Sequence, residues 1–100
     1  MAYQSRLQDE FVDRLFAAIL SLKTVEECYR FFEDICTVAE LKAIAQRLEV
    51  AKMLDEDKTY TEIGEITGAS TATISRVKRC LYFGADGYRL VLDRLKEQEK

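Results

Sequence analysis

The sequence predicts an all-α fold, and three observations carry the prediction. The chain has no proline, and its four glycines all lie from Gly64 onward, so few tight strand turns are available. Apolar residues recur at three- and four-residue spacing, the period of a helix packed by one face. The motif T-x-x-E occurs at Thr24 to Glu27, Thr37 to Glu40 and Thr59 to Glu62, each time ahead of an apolar periodic run. There the threonine hydroxyl accepts the backbone N–H three residues on and the glutamate reaches back, which marks a helix start.

The first helix precedes these boxes, from about Leu7 to Leu22. Leu7, Phe11, Val12, Leu15, Phe16, Ile19, Leu20 and Leu22 fill an arc of more than half its circumference. A helix lying on one core needs an apolar stripe of only about 100°. This helix is therefore expected to be buried on two sides, which a second subunit provides. The segment from Thr24 to Ile35 adds Cys28, Tyr29, Phe31, Phe32 and Ile35 as core or interface. A third helix, Thr37 to about Leu54, places Val38, Leu41, Ile44, Ala45, Leu48, Ala51 and Met53 at helical spacing, with Lys42, Arg47 and Lys52 outward. "DEDK", Asp55 to Lys58, reads as a solvated polar turn.

A short helix follows, about Tyr60 to Ile66, then "TGAS", then a helix from near Ser70 to about Leu81. Gly68 is free to take positive φ after the first of these. Gly64, without a side chain, is expected to let the two helices cross closely. With Ile63, Ile74, Val77 and Leu81 inward, the spacing is that of a helix-turn-helix, whose second helix enters the DNA major groove N-terminus first. Small residues at its leading end permit the backbone to approach base edges. The hydroxyls of Ser70, Thr71, Thr73 and Ser75 suit phosphates or bases, and Arg76, Lys78 and Arg79 supply the charge phosphates require. The expected DNA-binding set is Thr61, Ser70, Thr71, Ala72, Thr73, Ser75, Arg76, Lys78 and Arg79. A last helix is expected over 85–98, in one domain with dimerisation helices in 1–55 and the helix-turn-helix in 59–82.

Composition narrows the function. Apolar residues at 48% and charged residues at 33% give a globular balance. The net charge of −3 does not oppose DNA binding, because local distribution decides it. Without histidine the chain lacks the commonest general base, no carboxylate pair stands out, and an enzyme is not expected. Cys28, Cys36 and Cys80 are odd in number and lack C-x-x-C spacing, so neither a zinc site nor a cofactor is expected. They read as free thiols acting as small core residues, with a Cys28–Cys36 redox switch as the alternative. No apolar stretch is long enough for a membrane span and the N-terminus lacks signal-peptide features, so a cytoplasmic protein is expected.

"GASTATISR", Gly68 to Arg76, resembles the reading-head motif of the Trp repressor superfamily, and "TVAELKAIAQRLEVAKML", Thr37 to Leu54, resembles the helix that precedes it there. "VEECYRFFEDICT", Val25 to Thr37, is similar to a segment of the Trp-repressor-related proteins of the YerC/YecD type. The resemblance covers about Ser21 to Leu92. It implies a six-helix subunit in an intertwined homodimer, each subunit presenting one helix-turn-helix to a half-site of double-stranded DNA. It also implies an effector pocket at Thr37, Arg47 and Arg76, which match ligand-lining positions in the tryptophan-gated member. Other positions depart from that pocket. Val77 stands where the repressor has a glycine, Cys80 replaces a serine, and Asp34 and Cys36 replace leucines. The arginines survive while the room for an indole does not, so Arg47 and Arg76 read as DNA- or helix-terminus-facing cations. The leading expectation is a homodimeric, sequence-specific transcription regulator that works without tryptophan. The alternatives are a helical dimerisation or protein-interaction module, and a DNA-binding regulator gated by an unknown small effector.

Overall fold

The computed structural model describes residues 3–99; among them are six helices and no strand. They are α1 (Glu10–Leu20), α2 (Val25–Ile35), α3 (Val38–Asp55), α4 (Tyr60–Thr67), α5 (Thr71–Phe83) and α6 (Gly87–Gln98). Side-chain caps set several of the starts. Thr24 Oγ1 accepts from Glu27 N–H at 3.1 Å, and Thr59 Oγ1 accepts from Glu62 N–H at 3.1 Å. The Glu27 carboxylate reaches back to Lys23 N–H at 2.8 Å, one residue beyond the cap. The first helix is shorter than its apolar pattern suggests. Asp9 caps it by accepting Val12 N–H at 2.9 Å, and a carboxylate at the N-terminus is a stronger start signal than the apolar Leu7 before it. At the other end Ser21 and Leu22 bond back to Ala18 and Ile19, a tightened last turn that closes the helix.

The chain divides into two compact units at residue 38. The first holds α1 and α2, and neither helix has a buried residue. Phe31 and Phe32 meet edge to face, with ring centroids 5.4 Å apart, and both are half-buried. Phe11, Phe16, Leu20, Val25 and Tyr29 are exposed, Leu20 to 84%. Cys28 is exposed as well, Cys36 is half-buried and Cys80 is exposed, which corrects their reading as core thiols. Cys28 falls on a helix with no fully buried residue, and Cys80 precedes the inward-facing Leu81.

The second unit holds the core: Val50, Ala51, Met53 and Leu54 of α3, Ile63 of α4, Ala69 of the turn after it, Ile74, Val77 and Leu81 of α5, and Leu92 of α6. Tyr60 and Tyr88 pack against it. The apolar spacing of α3 is thus used only at its C-terminal end; Val38, Ile44, Ala45 and Leu48 remain exposed. "DEDK" is more than a solvated turn. Asp55 ends α3 with its side chain only 12% exposed, held by Arg89 at 2.7 Å and Lys96 at 2.6 Å. These donors keep its carboxyl near pH 2, below the ordinary 3.8, because their hydrogen bonds and charges outweigh its partial desolvation. Both cations lie on α6, so the ion triad holds that helix against the end of α3. At the end of α5, Gly84 lies so close to its own helix that a Cβ there would meet the Cys80 carbonyl oxygen at 2.3 Å.

Candidate nucleic-acid interface

The second unit presents α5 by packing it between α4 and α6. Its inward face is apolar: Ile74 and Val77 are 1% exposed and Leu81 is buried beside them. The 100° step then leaves Thr71, Ala72, Ser75, Arg76, Lys78 and Arg79 exposed, together with the capping Ser70. Thr61 is exposed in the first turn of α4. From Thr71 to Phe83 the helix carries three cations and no acid. A surface of this kind, with small residues at its leading end and cations behind them, has the chemistry to meet base edges and phosphates.

The turn that sets the angle of α5 is built from local bonds. Gly68 takes φ +76° at the end of α4, a region that L side chains rarely adopt, and its N–H closes on Gly64 O at 2.9 Å. Thr67 Oγ1 donates to Ile63 O at 2.7 Å and accepts from Ala69 N–H at 3.1 Å. Gln46 of α3 donates to Thr67 O at 3.0 Å, fastening the turn to the preceding helix. Gly64 is not the close-approach position expected: a Cβ there would lie 3.5 Å from Ala69 O, an ordinary separation. Ser70 caps α5 by accepting Thr73 N–H at 3.1 Å and donates to Thr73 Oγ1 at 3.1 Å. Two of the five hydroxyls expected to meet DNA are thus engaged with each other, and Thr73 is half-buried. Thr61, Thr71 and Ser75 are exposed and take no part in that cap.

Tyr60, Gln46 and Thr67 were not singled out by sequence reasoning. The Tyr60 hydroxyl lies 3.4 Å from Ser75 Oγ, and Lys78 Nζ stands 5.8 Å from the Tyr60 ring centroid. Of the residues matched to an effector pocket, Arg76 is exposed on α5 and Arg47 is half-buried on α3. Arg47 lies near Tyr88, whose phenol is pushed up by burial and drawn part of the way back by that guanidinium. Thr37 and Asp34 belong to the first unit, where both are exposed. Val77 is fully occupied in the core.

Comparison with known proteins decides the family. The Trp repressor protein profile matches residues 10–96. The chain belongs to the Trp repressor family. The uncharacterized protein YerC of Bacillus subtilis (strain 168) is 61% identical over 94 residues, covering 94% of this chain and 90% of that one. A TrpR-like protein from Eubacterium eligens ATCC 27750 has a solved structure with TM-score 0.88 and 57% identity, covering 91% of this chain and 94% of its own. A Staphylococcus aureus protein described as a candidate Trp repressor has TM-score 0.87 and 53% identity over 91% of each chain. The Trp repressor family is one of non-enzymatic DNA-binding regulators, and its six-helix fold is the one seen here. No helix of the described residues is long and apolar enough to cross a membrane.

Proposed function

We propose that the protein is a homodimeric, sequence-specific DNA-binding regulator of transcription that is not gated by tryptophan. The observation that carries the reading is α5 itself, whose inner face is closed by Ile74, Val77 and Leu81. Its outer face offers Thr71, Ala72, Ser75, Arg76, Lys78 and Arg79 to solvent. Affinity comes from the cations on phosphates, and selection comes from the small leading residues against base edges. The homodimer is supported by α1 and α2, which hold no fully buried residue although their sequences are rich in phenylalanine, leucine and tyrosine. Exposed apolar surface on that scale marks an interface. Two copies related by a two-fold axis would present two reading helices to adjacent half-sites.

Independence from tryptophan is supported by Val77. Its isopropyl group is buried in the core, β-branched and stiff, at the position where an indole needs a glycine. Arg47 and Arg76 alone do not make a pocket for an apolar ring. DNA titration with and without millimolar tryptophan, paired with calorimetry of tryptophan on the protein alone, tests this. The expected outcome is salt-sensitive DNA binding that tryptophan does not alter, and no heat of binding. A tryptophan-dependent affinity would restore the gated mechanism. Absence of DNA binding would favour a protein-docking role for the same helix. A change in affinity on adding a cell metabolite extract would favour another small effector.

A further inference from the structure

Tyr60 touches two of the residues assigned to the DNA surface while standing on the other helix of the pair. Its ring packs on the core, and its hydroxyl lies 3.4 Å from Ser75 Oγ. Lys78 Nζ is 5.8 Å from the ring centroid, within the range of a cation–π interaction. Ser75 and Lys78 are three residues apart on α5, so they share one face, and Tyr60 meets both. A serine inside a helix either points to solvent or folds its hydroxyl back onto the carbonyl one turn before. Here the partner across the helix pair is a phenol, and when that phenol donates, the serine proton is left to point outward. Lysine is a flexible point charge whose chain entropy is lost on binding; a ring beneath it restricts that freedom beforehand.

We propose that Tyr60 is a positioning residue of the DNA surface, holding the Ser75 hydroxyl and the Lys78 ammonium in place as one unit for a phosphate of the duplex. The inference rests on the DNA-binding reading and adds to it a contribution from α4 that acts through α5. The hydroxyl pair is exposed, so its removal should leave folding nearly untouched while DNA affinity falls.

The test is a double-mutant cycle on the full chain, with Tyr60→Phe, Ser75→Ala and both together. The probe is a mixed-sequence duplex of about 40 base pairs, long enough for two half-sites one turn apart. Tyr60→Phe keeps the ring and removes only the hydroxyl. We expect it to weaken binding about three- to tenfold, the range for one net hydrogen bond, with an unchanged melting temperature and an unchanged salt slope. The double variant should be no weaker than Ser75→Ala alone. Native-like affinity of Tyr60→Phe would overturn the inference while leaving the DNA reading intact. A strictly additive double variant would overturn it too, since the phenol would then act without Ser75. An affinity loss that tracks a lowered melting temperature would reduce Tyr60 to a packing residue. A native chain that fails to bind the duplex would overturn both readings.

Discussion

A side chain at Gly84 would collide with the carbonyl of Cys80, one turn back on its own helix, whereas one at Gly64 would meet its neighbours at ordinary van der Waals distance. The two glycines should therefore respond oppositely to alanine. Gly84→Ala forces the end of α5 to shift and should destabilise the protein by about 1–3 kcal/mol, the usual consequence of overpacking. Gly64→Ala lies inside α4 and should be neutral or stabilising by up to about 1 kcal/mol from helix propensity. Urea unfolding of both variants decides; equal destabilisation would contradict the geometry. Val77→Gly belongs to the same scale. It opens a cavity beside Ile74 and adds backbone freedom, so it should cost about 2–4 kcal/mol and should not create tryptophan binding. Calorimetry of that variant with tryptophan checks the second half.

Among the elements, α6 is held in the second unit by the buried Leu92, by Tyr88 packed against the core, and by the Asp55–Arg89–Lys96 triad. The Asp55 carboxyl is held near pH 2 in the folded chain against 3.8 ordinarily. A carboxylate depressed in this way stabilises the fold fully above about pH 4, and the contribution disappears as pH falls through 2. Because Arg89 and Lys96 are partly solvated, the effect should be about 1–2 kcal/mol. Asp55→Asn should lower the melting temperature at neutral pH and should flatten its fall between pH 4 and pH 2. An identical acid profile in both proteins would show that the triad contributes nothing. The pair α4 and α5 was legible in sequence because its determinants are local: the Thr59 and Ser70 caps, Gly68 and the inward spacing of Ile74, Val77 and Leu81. Asp55 with Arg89, Gln46 with Thr67 and Tyr60 with Ser75 were not, since these partners lie 34, 21 and 15 residues apart. Nothing in the periodicity of one helix reports a polar partner on another. The exposed apolar residues of α1 were legible as a pattern, because their number exceeds what one core can take.

For the whole molecule, those residues bear on assembly. Phe16 is 55% exposed within one chain, so in an isolated protomer Phe16→Asp should be nearly harmless. In a homodimer sharing α1 and α2 the same change buries an unpaired charge, and it should unfold the protein rather than release folded monomers. Circular dichroism with light scattering separates these outcomes; a compact folded monomer of the native chain at micromolar concentration would contradict the dimer. Two reading helices in one dimer also require two half-sites about 34 Å apart, centre to centre. Thr71→Ala and Ala72→Leu, at the leading end of α5, should erode discrimination between such sites rather than overall affinity.

The central claim is that the basic outer face of α5 engages the phosphates of DNA, and the salt dependence of binding tests it most directly. The native protein and the Arg76→Ala, Arg79→Ala double variant would be titrated with duplex DNA across a range of salt concentrations. The native chain should bind with a steep negative slope of log affinity against log salt. The double variant should bind all sequences more weakly, with a slope flatter by about one unit for each phosphate that no longer meets an arginine. Unchanged affinity and slope in the double variant would contradict the account.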